Sequence, residues 1–168
     1  MNNKEQLMVA ALENGSVIDH IPTEKLFTIV KLLSLDKLSE PVFIGNNLDS
    51  QIMRRKGLIK VANKFLSEKE ISKLAVVCPH IRLTVIRNYE VVEKREISLP
   101  ETLSDIVKCP NPVCITNNEP MKTVFYVERH NYIHQMFPYE HQLNEQDNAK
   151  LKCRYCGKEV DLKDIKLK

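Results

Sequence analysis

At 168 residues, with 43% hydrophobic and 28% charged residues and a formal net charge of +3, the chain suits one medium domain or two small ones and excludes wholesale disorder. No run approaches the roughly 18 consecutive apolar residues that cross a bilayer, and residues 1–6 lead into no apolar core with a cleavage site, so the expectation is a cytoplasmic protein without membrane attachment. Residues 1–100 hold 15 Lys and Arg against 12 Asp and Glu, whereas residues 101–168 hold ten of each; that neutral second part lacks the clustered cations from which nucleic-acid binding draws its affinity.

In chain order, Met8-Val9-Ala10-Ala11-Leu12 reads as a first strand, broken at Asn14-Gly15, with Val17-Ile18 following. Leu26, Ile29, Val30 and Leu33 then recur at helical spacing after Pro22-Thr23, with Thr23 as a candidate cap. Val42-Phe43-Ile44 and Leu58-Ile59-Lys60-Val61 read as strands separated by a polar stretch containing Gly45, Asn46, Asn47 and Gly57. A second helix carries the strongest local signal. Ser67 and Glu70 form a capping box, Leu66 and Ile71 a hydrophobic staple, and Ile71, Leu74, Ala75 and Cys78 share one face until Pro79 stops the run. Ile81, Leu83 and Val85 alternate, and the polar break Arg87-Asn88 before residues 89–94 predicts an antiparallel hairpin. This order predicts an α+β fold, one sheet covered on one face by two helices.

Ser98-Leu99-Pro100-Glu101 marks the expected boundary between a domain at 1–100 and one at 101–168. Residues 131–148 are polar, rich in His and aromatics, and read as a long loop. Cys109 and Cys114 enclose four residues, Cys153 and Cys156 two, spacings that let two sulfurs of one turn reach a single ion about 2.3 Å away. Gly157 can supply the positive φ such a turn requires. Four thiolates complete a tetrahedron and leave no open position, so one structural Zn2+ is expected, with iron in the same cage as the alternative. Two disulfides are disfavoured in the cytosol. The zinc thiolates would also add a charge of about −2, a further argument against nucleic acid. His130, His134 and His141 read as members of a solvated loop, and the remaining Cys78 as a small buried hydrophobe.

Asp19 and His20 stand side by side before the first helix; Lys56 and Lys60 share a strand parity, and Lys94 lies near the end of another strand. Three lysines and a histidine suffice to neutralise a triphosphate, with Asp19 accepting from ribose hydroxyls. Exposed lysines kept for solubility explain the same residues without a ligand. An enzyme built on Asp19 and His20 lacks an accompanying nucleophile, oxyanion-type glycine loop or open metal position.

Gly15-Ser-Val-Ile-Asp-His-Ile-Pro22, Lys56-Gly-Leu-Ile-Lys60, Phe65-Leu-Ser67, Asn88-Tyr-Glu-Val-Val92, Ser98-Leu-Pro100, Cys109-Pro-Asn111 with Cys114, and Cys153-Arg-Tyr-Cys156 together resemble the aspartate carbamoyltransferase regulatory chain, in order and over nearly the whole length. The resemblance implies a non-catalytic subunit in pyrimidine biosynthesis. Its N-terminal domain would be a ferredoxin-like allosteric domain that binds ATP or CTP and pairs with a second regulatory chain. Its C-terminal zinc ribbon would dock on the catalytic chain. Carried over, His20 and Lys94 meet phosphates, Asp19 and Lys60 the ribose or base, and Lys56 lies nearby. The backbones around Leu12, Tyr89 and Val91 read the base edge, while Val9 and Val17 shape the pocket. The sequence departs from the usual pattern at Ala10, where an acidic residue is common, and at Thr84, where asparagine is. Val113 and Gly157 depart near the docking region, and the cysteine pairs are spread by extra residues near 132–142.

Overall fold

In the computed structural model, which describes residues 11–129 and 149–168, the chain divides into two units, Met1–Ser98 and Leu99–Lys168. No helix among the described residues is long and apolar enough to cross a membrane.

The first unit runs β1 (Gly15–Ile21), a 3-10 turn at Thr23–Lys25, α1 (Leu26–Leu32), a second 3-10 turn at Leu35–Lys37, β2 (Val42–Ser50), β3 (Arg54–Ala62), α2 (Glu68–Val77), β4 (Arg82–Arg87) and β5 (Glu90–Glu96). The strands lie in the order β2-β3-β1-β4-β5 with every neighbouring pair antiparallel, the ferredoxin-like order extended by β5 at one edge. Period-two alternation decides which face is buried. Ile59, Ile18 and Leu83 stand opposite one another across three strands and are fully buried. Leu26 and Ile29 of α1 and Leu74 and Ala75 of α2 are buried with them, closing that face. Positions of opposite parity line the other face.

Helix α2 owes its start to the capping box: the Ser67 Oγ accepts from the Glu70 amide at 3.3 Å, and the Glu70 carboxylate accepts from the Ser67 amide at 2.8 Å. Its end follows from Pro79, which forces Cys78 out of the helical region to φ −152°, ψ 83°. The β4–β5 hairpin turns on Asn88 and Tyr89, at φ 52° and 65°, the type I′ geometry that matches strand twist.

Three sequence expectations change. Residues 8–10 lie outside the described residues, but Ala11 and Leu12 are not strand, and Gly15 begins β1 instead of interrupting it. Gly15 takes φ +140°, where a Cβ would sit 2.1 Å from the Val61 carbonyl oxygen, so only glycine fits. Thr23 does not cap α1; its hydroxyl lies 3.4 Å from Glu24, and a 3-10 turn leads into the helix without a side-chain cap. The polar stretch after Ile44 remains in the sheet, because a register shift between Gly45 and Leu48, with Asn47 at φ 57°, carries the hairpin on to residues 51–53.

The second unit has a four-stranded antiparallel sheet, β6 (Thr102–Ser104), β8 (Val124–Arg129), β9 (Ala149–Cys153) and β10 (Glu159–Asp161), in the order β10-β9-β8-β6. A two-stranded ribbon pairs β7 (Val107–Lys108) with β11 (Lys166–Leu167), and α3 (Ile115–Asn118) is a single turn. Leu103, Phe125 and Cys153 form one buried cross-strand row, so the small core merges directly with the cysteines. The expected loop at 131–148, His130, His134 and His141, and the extra residues near 132–142 lie outside the described residues.

Two candidate functional sites

On the uncovered face of the first sheet, direct cross-strand partners line up as Phe43, Lys60, Val17, Thr84 and Lys94. The next row toward the N-terminal end of β1 holds Ala62, Gly15, Ile86 and Val91. The row on the other side holds Asp19, Arg82 and Glu96. Strands β1, β3 and β5 therefore gather Val17, Asp19, Lys60, Val91 and Lys94, residues far apart in sequence, onto three adjacent rows of one surface.

A bulge shapes the Asp19 end. Between the Ile18–Ile59 and Ile21–Gly57 pairs, Asp19 and His20 of β1 stand against Leu58 alone, with His20 at φ 61°. The extra residue re-aims the side chains. The Asp19 carboxylate accepts from Lys56 Nζ at 2.8 Å and from the His20 amide at 2.6 Å. Burial alone would raise the Asp19 pKa, but the Lys56 ammonium and the His20 amide outweigh it and hold the carboxyl below its usual range. His20 Nδ1 lies 3.3 Å from Asp19 Oδ2, close enough to feel its charge, yet misaligned, so the buried nitrogen has no hydrogen bond among the described residues. Burial pushes the imidazole pKa down; Asp19 opposes this, while Lys56, Arg82 and Lys94 add to it. The face is thus a half-buried concentration of positive charge around a neutral imidazole.

The remaining expected residues fall around this surface. Leu12 is buried in the segment before β1, and Tyr89 occupies the hairpin turn, where its amide donates to the Glu13 carbonyl at 2.9 Å. The Asn88 amide donates to Asn14 Oδ1 at 3.1 Å, so this turn is strapped to the chain entering β1. Val9 and Ala10 lie outside the described residues. Sequence reading passed over Arg82, whose role depends on which strand lies beside β4.

The second unit brings the four cysteine sulfurs within 4.8 Å of one another. Cys109 follows β7, Cys114 precedes α3, Cys153 ends β9, and Cys156 sits in the turn before β10. The Cys109–Cys156 and Cys114–Cys153 sulfur separations are 3.6 and 3.9 Å. Ligands about 2.3 Å from one ion at tetrahedral corners stand about 3.8 Å apart, whereas a disulfide requires about 2.05 Å, so the donor set fits a single ion and not two bridges.

Backbone amides point at the sulfurs: Asn111 at Cys109, Tyr155 and Cys156 at Cys153, Lys158 at Cys156. Burial pushes the Cys109 and Cys153 thiols up, whereas hydrogen bonds from the Lys158 amide and Asn111 outweigh burial at exposed Cys156 and bring it to about 7. Clustered buried thiols resist joint ionisation; a cation at their centre supplies the missing charge. Gly157 takes φ +69°, and its amide donates to the Cys153 carbonyl at 2.9 Å. Asn117 Nδ2 donates to the carbonyls of Cys109 at 2.9 Å and Asn111 at 2.7 Å, and Asn118 Nδ2 donates to that of Cys114 at 2.8 Å. These two asparagines brace the first knuckle and carry no sequence signal beyond proximity to Cys114.

Comparison with known proteins matches residues 7–98 to the family described as aspartate carbamoyltransferase regulatory chain, allosteric domain, and residues 101–137 to the metal binding domain of the same chain. Proteins named aspartate carbamoyltransferase regulatory chain share 50% identity in Bacteroides fragilis and 48% in Bacteroides thetaiotaomicron, each over 97% of this chain and 96% of the relative. One from Photobacterium profundum shares 40% over 94% of this chain and 93% of the relative. The chain belongs to the aspartate carbamoyltransferase regulatory chain family, with an allosteric and a metal-binding domain; the name is that of a regulatory subunit and not a catalytic one.

Proposed function

We propose that this regulatory chain binds ATP or CTP on the uncovered face of its N-terminal sheet and passes the effect to an aspartate carbamoyltransferase catalytic chain through its metal domain. The observation that carries the reading is the row Lys60–Val17–Thr84–Lys94, flanked by Asp19, His20 and Lys56. Lysines at both ends of an otherwise uncharged row suit a nucleotide, with phosphates toward His20 and Lys94 and sugar and base toward Asp19, Lys60 and the backbones near Leu12, Tyr89 and Val91. Thr84 places a hydroxyl in mid-row, so base selectivity differs from that of a chain with asparagine there.

The four cysteines hold one Zn2+ whose role is structural: it fixes the two knuckles, and no residue of the chain performs chemistry at it. Binding of the nucleotide shifts the quaternary equilibrium only by its differential affinity for the two states, and a coupling of about 1–3 kcal/mol suffices. Self-pairing as a regulatory dimer and a cytoplasmic setting complete the proposal.

The test is calorimetric titration of CTP and then ATP into the zinc-loaded chain and into Asp19→Ala, Lys60→Ala and Lys94→Ala variants. Saturable binding lost in the variants supports the effector site. No heat from a folded, zinc-replete chain sinks it and leaves a docking subunit without effector response. Elemental analysis of chain purified without added metal discriminates one zinc from iron.

A further inference from the structure

Resting on the reading that Cys109, Cys114, Cys153 and Cys156 hold one ion, we propose that the Thr116 hydroxyl donates to the Cys114 sulfur and sets how strongly that sulfur binds the metal. Thr116 stands two residues past Cys114, inside the single turn of α3, and is buried. The other buried polar residues among those described, Ser16 and Thr123, send their hydroxyls to backbone carbonyls, of Lys64 at 2.8 Å and of Val107 at 2.7 Å. That is the ordinary way to satisfy a buried hydroxyl. The Thr116 hydroxyl meets a sulfur instead, Cys114 Sγ at 3.3 Å, with both groups buried.

Between a thiol and a hydroxyl either group can donate. A metal-bound sulfur carries no proton, so in the loaded site the hydroxyl is the donor. Four thiolates on one divalent cation leave a charge of about −2, which each donor helps to spread. Cys109 receives the Asn111 amide, Cys153 those of Tyr155 and Cys156, and Cys156 that of Lys158. Those bonds belong to the backbone of the turns, whereas the bond to Cys114 hangs on one side chain. Cys114 is 2% exposed, so water is a poor substitute for that donor. Asn117 braces the first knuckle through carbonyls. Thr116 acts on the electrons of a ligand, as a positioning residue that works through Cys114.

The test uses the full-length chain, as wild type, Thr116→Val, Thr116→Ser and Thr116→Ala, loaded in turn with Co2+ and Zn2+. Valine keeps the size and removes the hydroxyl; serine keeps the hydroxyl and removes the methyl. The sulfur-to-cobalt charge-transfer band reads electron density on the ligands, and competition against a chromophoric chelator reads zinc affinity. The expected result for Thr116→Val is a band moved to longer wavelength and a loss of roughly tenfold in zinc affinity. Thr116→Ser should keep both near the wild-type values. The reverse pattern, with valine like wild type and serine weakened, assigns Thr116 to packing and overturns the proposal. An affinity loss in Thr116→Val without a band shift is the mark of loosened geometry and overturns it as well. Should Thr116→Val not fold, serine against alanine decides: the two differ by the hydroxyl alone, and equal bands overturn the proposal. A wild-type chain that takes up neither ion sinks the single-ion reading and the proposal together. A chain that binds both ions yet ignores every substitution sinks the proposal alone.

Discussion

The two units solve the same problem by different means. The first buries Ile18, Ile59, Leu83, Ile21, Leu26, Ile29 and Leu74 completely between a five-stranded sheet and two helices. The second has, among the described residues, two short strands at the outer positions of its main sheet and two in its ribbon, a single-turn helix, and a core in which three of the four clustered cysteines are themselves buried. A large apolar core is stable by itself and leaves a sheet face for ligands. A small one is completed by the ion, so its stability is tied to metal supply. The division lets the charged sheet face of the first unit stay half-buried without weakening the second.

The sharpest way to break this comparison is to remove the metal. Chelation should unfold residues 99–168, for which metal binding supplies on the order of 10 kcal/mol, while amide resonances of residues 11–98 persist. Concerted loss of both units would show that the first is not autonomous. Next in size, Ile18→Ala leaves a cavity in the sheet core and should cost the first unit about 2–5 kcal/mol, read as a lower denaturant midpoint for its resonances with metal affinity unchanged. Asn117→Ala removes two hydrogen bonds that brace the first knuckle and should weaken metal binding by roughly 10- to 100-fold in a competitive chelator titration; an unchanged constant would show that the cysteines hold their geometry unaided. Ser67→Ala should cost about 1 kcal/mol through loss of the α2 cap, confined to the first unit.

The smallest effect is one of pH. The His20 pKa is lowered from 6.5 in the folded chain by burial first, then by Lys56, Arg82 and Lys94 against the opposing Asp19. The unfolded chain therefore takes up the proton first. The contribution to stability is fully present above about pH 6.5 and is lost as pH falls from there through the folded value. Comparing wild type with His20→Gln at pH 7.5 and 5.5 isolates it, because acid release of metal is common to both. Asp19, held below the usual carboxylate range by Lys56 and the His20 amide against the opposing effect of burial, does not enter this window. A pH-independent difference between the two proteins would remove His20 from the account.

How much could be read without the fold differs between the sites. The spacings around Cys109, Cys114, Cys153 and Cys156 expressed a local geometric need, two sulfurs per turn, and the turns at Asn111 and Gly157 serve it. The charged sheet face was legible only in fragments. Lys56 and Lys60 shared a parity, and Asp19 and His20 were adjacent, but nothing local showed that β1 lies between β3 and β4.

The sequence alone determined the elements whose causes are local: the Ser67–Glu70 cap, the stop at Pro79, the alternation of Ile81, Leu83 and Val85, and the paired cysteine knuckles. Tertiary structure decided which strands became neighbours. Through that it decided that Thr84 separates Val17 from Lys94, that a bulge turns Asp19 toward Lys56, and that Arg82 faces two carboxylates already engaged. The reason is physical: backbone preference and side-chain period act over a few residues, whereas register across a sheet is set by burying one face as a whole.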